Sequence, residues 1–353
     1  MSRAWRQDEQ HPAWNIDRDG NRRYRVAFDP DFIPGLTYPT DENTGCRVPE
    51  SELTAVDIPF VADVDDIVLE RMHFKQGIIR RANRVVIRDC IVNESDTMAP
   101  GTASTKNPAG NLVAIDFNQP NFMDGHVEFT TLVPRNPSVR CYGILGTNYS
   151  THRVRIKPGF VDCMNFQTDI NNKNPGSCFS SGDYVSPSVY DSDPSQSGGK
   201  SHSDGFQIAN GRGHKIIGSR VECPLGDGFG HGVVIGPYAP GAIGGVEINY
   251  CWFSGGGVGI SAWANGSTDK TPYIPGMKVR GNRFDTRGMK NETSGGIAYP
   301  YAILMNPQTH AGAIVEGNVQ THPCTPASGT PYGASATPEK PVTAHTHIAA
   351  LNW

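Results

Sequence analysis

The feature that most constrains this chain is a recurrence of short apolar runs, each three to five residues long, with Gly or Asn close behind many of them. One series reads Asp66-Ile67-Val68-Leu69, Arg84-Val85-Val86-Ile87-Arg88, His126-Val127-Glu128-Phe129 and Arg153-Val154-Arg155-Ile156. It continues as His214-Lys215-Ile216-Ile217, Gly245-Val246-Glu247-Ile248, Met277-Lys278-Val279-Arg280 and Ala313-Ile314-Val315-Glu316. A second series alternates with it: Leu112–Ile115, Tyr142–Leu145, Gly205–Ile208, Gly232–Ile235, Val258–Ser261 and Tyr301–Leu304. From Val154 the first series steps to 216, 246, 279 and 314, by 62, 30, 33 and 35 residues, and the step of 62 is about two coils.

Irregular self-similarity at this period is the signature of a solenoid. Within a run, Val, Ile, Leu or Phe alternate with Arg, Lys, Glu or Asn, the period of a strand with one buried face. Gly and Asn supply corners, where positive φ is tolerated. Long amphipathic helical patterns are absent. An antiparallel sandwich would need tight hairpins, and Asn210-Gly211, Asp227-Gly228 and Asn265-Gly266 do not join runs in that way. The expectation is therefore all-β: a single-stranded right-handed parallel β-helix over 61–322. Residues 1–60 would form a short N-terminal cap or attachment segment, and 323–353 an extended C-terminal tail rich in Pro and Thr.

Composition narrows the function. Net charge is -4, with no Lys/Arg-rich run, which argues against nucleic acid as a partner. No apolar stretch is long enough for a membrane span. The first twenty residues lack the apolar segment of a secretory signal. The chain has eight Cys and no C-x-x-C. Most are expected as buried free thiols, with Cys163 and Cys178 the best candidates for a disulfide.

Two segments carry a resemblance. Tyr38–Pro49 holds Asn43-Thr44-Gly45-Cys46-Arg47-Val48-Pro49 and is followed by the coil Arg81–Cys90. His202-Ser203-Asp204-Gly205-Phe206-Gln207-Ile208 is followed by His214-Lys215-Ile216-Ile217-Gly218-Ser219. Together they resemble the "P-x-x-x-N-T-G-x-P" opening and the "H-x-D-G-I-Q…N-V-x-I-x-G-N" coil of β-helix proteins of actinobacteria and their phages, over roughly 34–320. The resemblance implies a minor tail protein or tail spike, located in the virion, or outside the cell for a bacterial member; the alternatives are a polysaccharide hydrolase or lyase of β-helix type and a purely structural tail element. The tail protein's partners would be host-surface polysaccharide and other tail proteins, and its assembly a homotrimer burying exposed aliphatic residues on one wall.

Candidate chemistry follows from a second likeness. Polygalacturonase-type β-helix hydrolases carry "N-T-D-G", "D-D", "G-H-G" and "R-I-K" in that order. This chain has Ser203-Asp204-Gly205, Asp227-Gly228, Gly230-His231-Gly232 and Arg155-Ile156-Lys157, with the last piece upstream and Asp227 lacking a second Asp. Asp204 and Asp227 are 23 residues apart (227 minus 204) and would stack on neighbouring coils as acid and base, with His231 beside them. The alternative makes both Asp residues corner formers. His202, His214 and His231 with Asp204 match no specific metal signature, and no cofactor is expected. Flat rings near the later loops, Tyr238, Trp263, Tyr273, Tyr299 and Tyr301, are candidates for stacking on sugar faces, whereas Trp252, inside an apolar run, reads as structural.

Overall fold

The computed structural model describes residues 38–95, 112–118, 122–135, 141–167, 176–188, 202–224, 230–236, 243–262, 274–285, 301–305 and 312–320. It also describes strand backbone at 6–7, 14–16, 22–24, 340–341 and 345–346. The chain is a parallel β-helix. Three strands make one rung, for example Arg155–Ile156 in sheet I, Asp162–Phe166 in sheet II and Cys178–Ser181 in sheet III, before the chain returns to sheet I at Tyr184–Val185. Among the described residues sheets I, II and III contain 11, 10 and 9 strands; every strand from 54 to 320 in them pairs in parallel with its counterpart on an adjoining rung, and the strands of the first rung pair on one side only. Stacking starts at Thr54–Val56, inside the segment expected as a cap. At the other end Lys340–Pro341 adds antiparallel to sheet I and His345–Thr346 adds parallel to sheet II.

The turn from sheet III to sheet I repeats most strictly. On nine successive rungs it places one residue in the left-handed region: Arg71, Asp89, Phe129, Arg153, Gly182, Gly218, Tyr250, Gly281 and Gly317, with φ from 42 to 65°. Each corner N–H donates to the carbonyl just before the next corner, as in Arg153 to Ser181 at 3.1 Å, Gly182 to Ile217 at 3.0 Å and Gly218 to Asn249 at 2.9 Å. A left-handed conformation costs a non-glycine residue roughly 1–2 kcal/mol. Five corners accept that cost, because the stacked backbone bonds would otherwise be lost. The expected glycine corners hold at Gly218, Gly281 and Gly317; Arg71, Asp89, Phe129, Arg153 and Tyr250 put other side chains at the corner, which is why those coils looked irregular in the sequence.

The residue after each corner points into the core. The column Cys90, Thr130, Val154, Asp183, Ser219, Cys251, Asn282 and Asn318 is buried throughout. Asn282 accepts from the Cys251 N–H at 2.9 Å and donates to the Ile248 carbonyl at 2.8 Å; Asn318 repeats the pattern one rung on, donating to Val279 at 2.9 Å. Asp183 takes the same place with a carboxyl, accepting from Val154 N–H at 2.7 Å, from Ser180 at 2.6 Å and from the Thr151 hydroxyl. This rung explains the double step in the sequence. Cys178-Phe179-Ser180-Ser181 is a strand of sheet III with a polar inward face, so hydropathy passes over it. Arg153–Ile156 belongs to the turn and sheet I, whereas the rest of the first series lies in and beside sheet III. Elsewhere the core is apolar, with Phe166 on Phe206 (5.8 Å) and Phe253 stacked on Phe284 (5.3 Å).

The seven described cysteines are all free thiols, six of them buried. The disulfide expected between Cys163 and Cys178 is therefore absent; the two lie in different sheets, and burial pushes the Cys178 thiol up to about 12.

Residues 38–53 form a strap along the outside of sheet I. Tyr38 meets Trp252 edge-on at 5.0 Å, and Arg220 reaches the Pro39 carbonyl. Asp41 binds Arg155 and Lys157, both at 2.6 Å, and Arg47 binds Asp89. Beneath the strap Arg155 lies 3.7 Å over the Tyr184 ring. The Asn-Thr-Gly motif is the pinch point. Asn43 and Thr44 close a turn onto Thr40, and Gly45 (φ 82°) donates to the Arg153 carbonyl at 2.8 Å. A Cβ on Gly45 would fall 2.5 Å from Thr131 Oγ1. The described part of the N-terminal segment thus runs down a side and leaves the end of the solenoid uncovered.

Two buried groups set a pH signature. Burial raises the Asp183 carboxyl from 3.8 to about 6, so its protonated form is favoured in the folded state. Its contribution is largest below pH 3.8 and falls as pH rises to about 6. Burial lowers His214 from 6.5 to about 4, so its contribution is full above pH 6.5 and is lost as pH falls to about 4. Each shift is worth up to about 3 kcal/mol, and the two oppose one another. Asp183→Asn, which copies Asn282 and Asn318, is expected to raise the melting temperature at pH 7 and to expose a fall in stability between pH 6.5 and 4. Urea unfolding at pH 7, 5.5 and 4.5 checks this; an equal loss at every pH would show that the carboxyl's hydrogen bonds outweigh its ionisation cost.

Candidate functional site on sheet II

The strands of sheet II share a five-residue pattern that the register makes visible. In order it reads Val113-Ala-Ile-Asp-Phe117, Tyr142-Gly-Ile-Leu-Gly146, Asp162-Cys-Met-Asn-Phe166, Asp204-Gly-Phe-Gln-Ile208, His231-Gly-Val-Val-Ile235, Val258-Gly-Ile-Ser-Ala262 and Tyr301-Ala-Ile-Leu-Met305. The third and fifth positions enter the core. The second also turns inward, as Ala114, Cys163 and Ala302 show, and every ladder skips it. Two consecutive inward residues amount to a bulge repeated on each rung, and bulges re-aim the side chains beside them. The small residue is required by sheet I: a Cβ on Gly232 would fall 2.4 Å from Phe253 Cδ1 and 2.4 Å from the Gly259 carbonyl oxygen.

The first and fourth positions stand on the outer face, where Val113, Tyr142 and Leu145 form a cluster separate from the core. Between that cluster and Val258 the first column is polar. Asp162 pairs in register with Asp204, and Asp204 with His231. His231 Nδ1 donates to Asp204 Oδ1 at 2.9 Å, and the His202 ring lies edge-on to His231 at 5.9 Å. In the fourth column Asn165 donates to Gln207 at 2.5 Å. Asp162, Asp204 and His231 are all buried, at 4, 1 and 4% exposure, although they face outward. Asp116, further down the fourth column, is also buried, and burial pushes its carboxyl up.

This placement changes the expected constellation. Asp204 and His231 do come together. The neighbour of Asp204 on the next rung is His231, not Asp227, which lies outside the described residues. Its neighbour on the other side is Asp162, a residue the sequence reading missed. The signal was present in the alignment of Asp162-Cys-Met-Asn-Phe with Asp204-Gly-Phe-Gln-Ile, but Cys in place of Gly concealed it. Adjacent rungs are about 4.8 Å apart, so the two carboxyl groups emerge at roughly that spacing. An imidazole oriented by one carboxylate, with a second carboxyl beside it, can transfer protons or accept hydroxyl donors from a polyol.

Arg155-Ile156-Lys157 is on sheet I under the strap, not in this column of sheet II. His214 is a core residue. It stacks on Phe166 at 5.4 Å, accepts the Cys178 N–H at Nδ1 and donates from Nε2 to the Asn210 carbonyl, so both ring nitrogens are occupied. Among the described residues no three His, Cys, Asp or Glu side chains converge as metal ligands would. Of the expected ring residues, Tyr238, Trp263, Tyr273 and Tyr299 lie outside the described residues, and Tyr301 occupies the first column of sheet II next to Val258. Trp252 is in the wall, as its apolar setting suggested. The exposed large apolar side chains among the described residues are Ile58 and Val64 in the first coil, Met123 and Ile314, which do not form the aliphatic wall expected of a trimer.

No protein-family model matches this chain, and neither a curated protein nor a solved structure matches it.

Gly232→Ala is expected to cost about 1–3 kcal/mol by overpacking against Phe253. Adding Phe253→Leu should recover part of that loss, with a coupling that a double-mutant cycle in urea measures. Strict additivity of the two changes would mean that the Gly232–Phe253 contact does not set the geometry of the His231 strand.

Proposed function

We propose that this chain is a minor tail protein of a phage, a tail-tip or spike component that touches host-surface glycan during adsorption. One observation carries the reading: the distribution of chain length around the rung. Each turn from sheet III to sheet I takes one or two residues, whereas residues 93–111, 186–202, 263–277 and 286–300 all enter or leave strands of sheet II. A solenoid that elaborates one face places its ligand there. The expected ring residues Trp263, Tyr273 and Tyr299 fall in these insertions, and sugar faces stack on such rings. The motifs of the opening segment and of the Asp204 coil resemble those of tail proteins, and on this reading host polysaccharide and other tail components are the partners and the virion the location.

A second reading, a polysaccharide hydrolase or lyase of the β-helix type, is favoured by the Asp204–His231 bond and the adjoining Asp162. The test offers host-envelope glycans and pectin-like polymers to the purified chain and follows both retention and product. Adsorption predicts retained glycan without product, and at least about tenfold weaker retention by Trp263→Ala and Tyr299→Ala, of the order expected for lost ring stacking. Product that disappears in both Asp204→Asn and Asp162→Asn makes the chain an enzyme. Neither retention nor product with any host glycan removes both readings.

A further inference from the structure

We propose that the open end of the solenoid at its first coil is a docking face for a partner protein that presents a basic β-strand edge. This concerns the end of the molecule, not sheet II, and stands whether or not the glycan reading does.

The strands Thr54–Val56, Phe60–Ala62 and Val68–Glu70 terminate the three sheets, and each pairs on one side only. Among the described residues none covers them. The strap runs down sheet I, and the N-terminal strands 6–7, 14–16 and 22–24 pair only with one another. Ile58 and Val64, in the turns of this coil, are 70% and 59% exposed, and Phe60 and Ile67 are only half-buried. An edge of this kind invites an added strand, and natural proteins cover it or defend it with charge.

The charge pattern identifies the occupant. From Val48 to Glu70 there are seven carboxylates, Glu50, Glu52, Asp57, Asp63, Asp65, Asp66 and Glu70, and no Lys or Arg. All seven are exposed. The next coil is basic and meets them rung on rung: Arg71 with Glu52, His73 with Glu50, Lys75 with Asp57, Arg84 with Asp66 and Arg88 with Glu70. A carboxylate on a rung can serve cations on both sides, as Glu247 does with Lys278 at 3.0 Å and Lys215 at 3.9 Å. The first coil therefore offers a second set of acceptors to a basic rung beneath it. Two copies of this chain meeting through this same end would set acid against acid, which disfavours a symmetric second copy as the occupant.

The test uses the full-length chain with two probes, a synthetic peptide of residues 71–90 carrying Cys90→Ser, and an alternating Lys-Val decapeptide that needs no corner to pair. Amide hydrogen exchange across 54–70 is expected to slow at least about tenfold with a basic probe in low salt. The slowing should vanish near about 0.5 M salt, where screening leaves little of an exposed charge pair. It should also be absent with the 71–90 peptide carrying Arg71→Glu, Lys75→Glu, Arg84→Glu and Arg88→Glu. No slowing with either basic probe, equal slowing with the inverted peptide, or self-association of the chain through 54–70 in low salt would each overturn the proposal.

Discussion

The left-handed corner between sheets III and I is the constraint on which the rest depends. One residue per rung turns the chain, and its N–H bonds to the rung above, so corners must stack directly over one another. That fixes the register of sheet III before the corner and of sheet I after it. It also fixes the inward column beside it, where only a side chain that satisfies or spares the neighbouring backbone groups fits: Asn282 and Asn318 by hydrogen bonding, Cys90 and Val154 by being apolar. Strain at Arg71, Asp89, Phe129, Arg153 and Tyr250 is the local cost of this global alignment.

Sheet II answers to different demands. Its strands carry a bulge at the second position, stacked as regularly as the corners, and the bulge leaves room inside for Phe253 and Phe284. Outside, the same bulge sets the first-position side chains in one column. Asp162, Asp204 and His231 are thus neighbours because of a packing requirement on the opposite face of their own strands. Their burial despite facing outward fits a sheet whose flanks carry the long insertions, whereas the wall of sheet I is closed by a strap of the chain itself. Fixing two sheets tightly and elaborating beside the third keeps a rigid scaffold under a variable surface.

The order of the charges along the axis belongs to the same logic. Acidic and basic rungs face each other at the first two coils, and Lys215, Glu247 and Lys278 alternate later on sheet III. Single exposed pairs contribute little to stability. Repeated in register they select which rung can follow which, and they leave the terminal rung with a defined sign.

By itself the sequence determined the solenoid. The period of the apolar runs, the alternation within them and the Gly218, Gly281 and Gly317 corners report local backbone preference and burial, which do not depend on knowing the neighbours. The pairing of Asp204 with His231 was likewise legible, since both precede a Gly at the start of matching runs. What only the tertiary structure decided was register. The coil through Ser180 and Asp183 is polar inside, so hydropathy skipped it, and Asp162 was hidden behind a Cys. The N-terminal strap had no periodic signal because it makes no ladder; it is held by ion pairs, ring contacts and the close approach of Gly45. Contacts between residues more than a hundred positions apart, such as Asp41 with Arg155, arise from coils stacked at unequal lengths, and no local pattern encodes that sum.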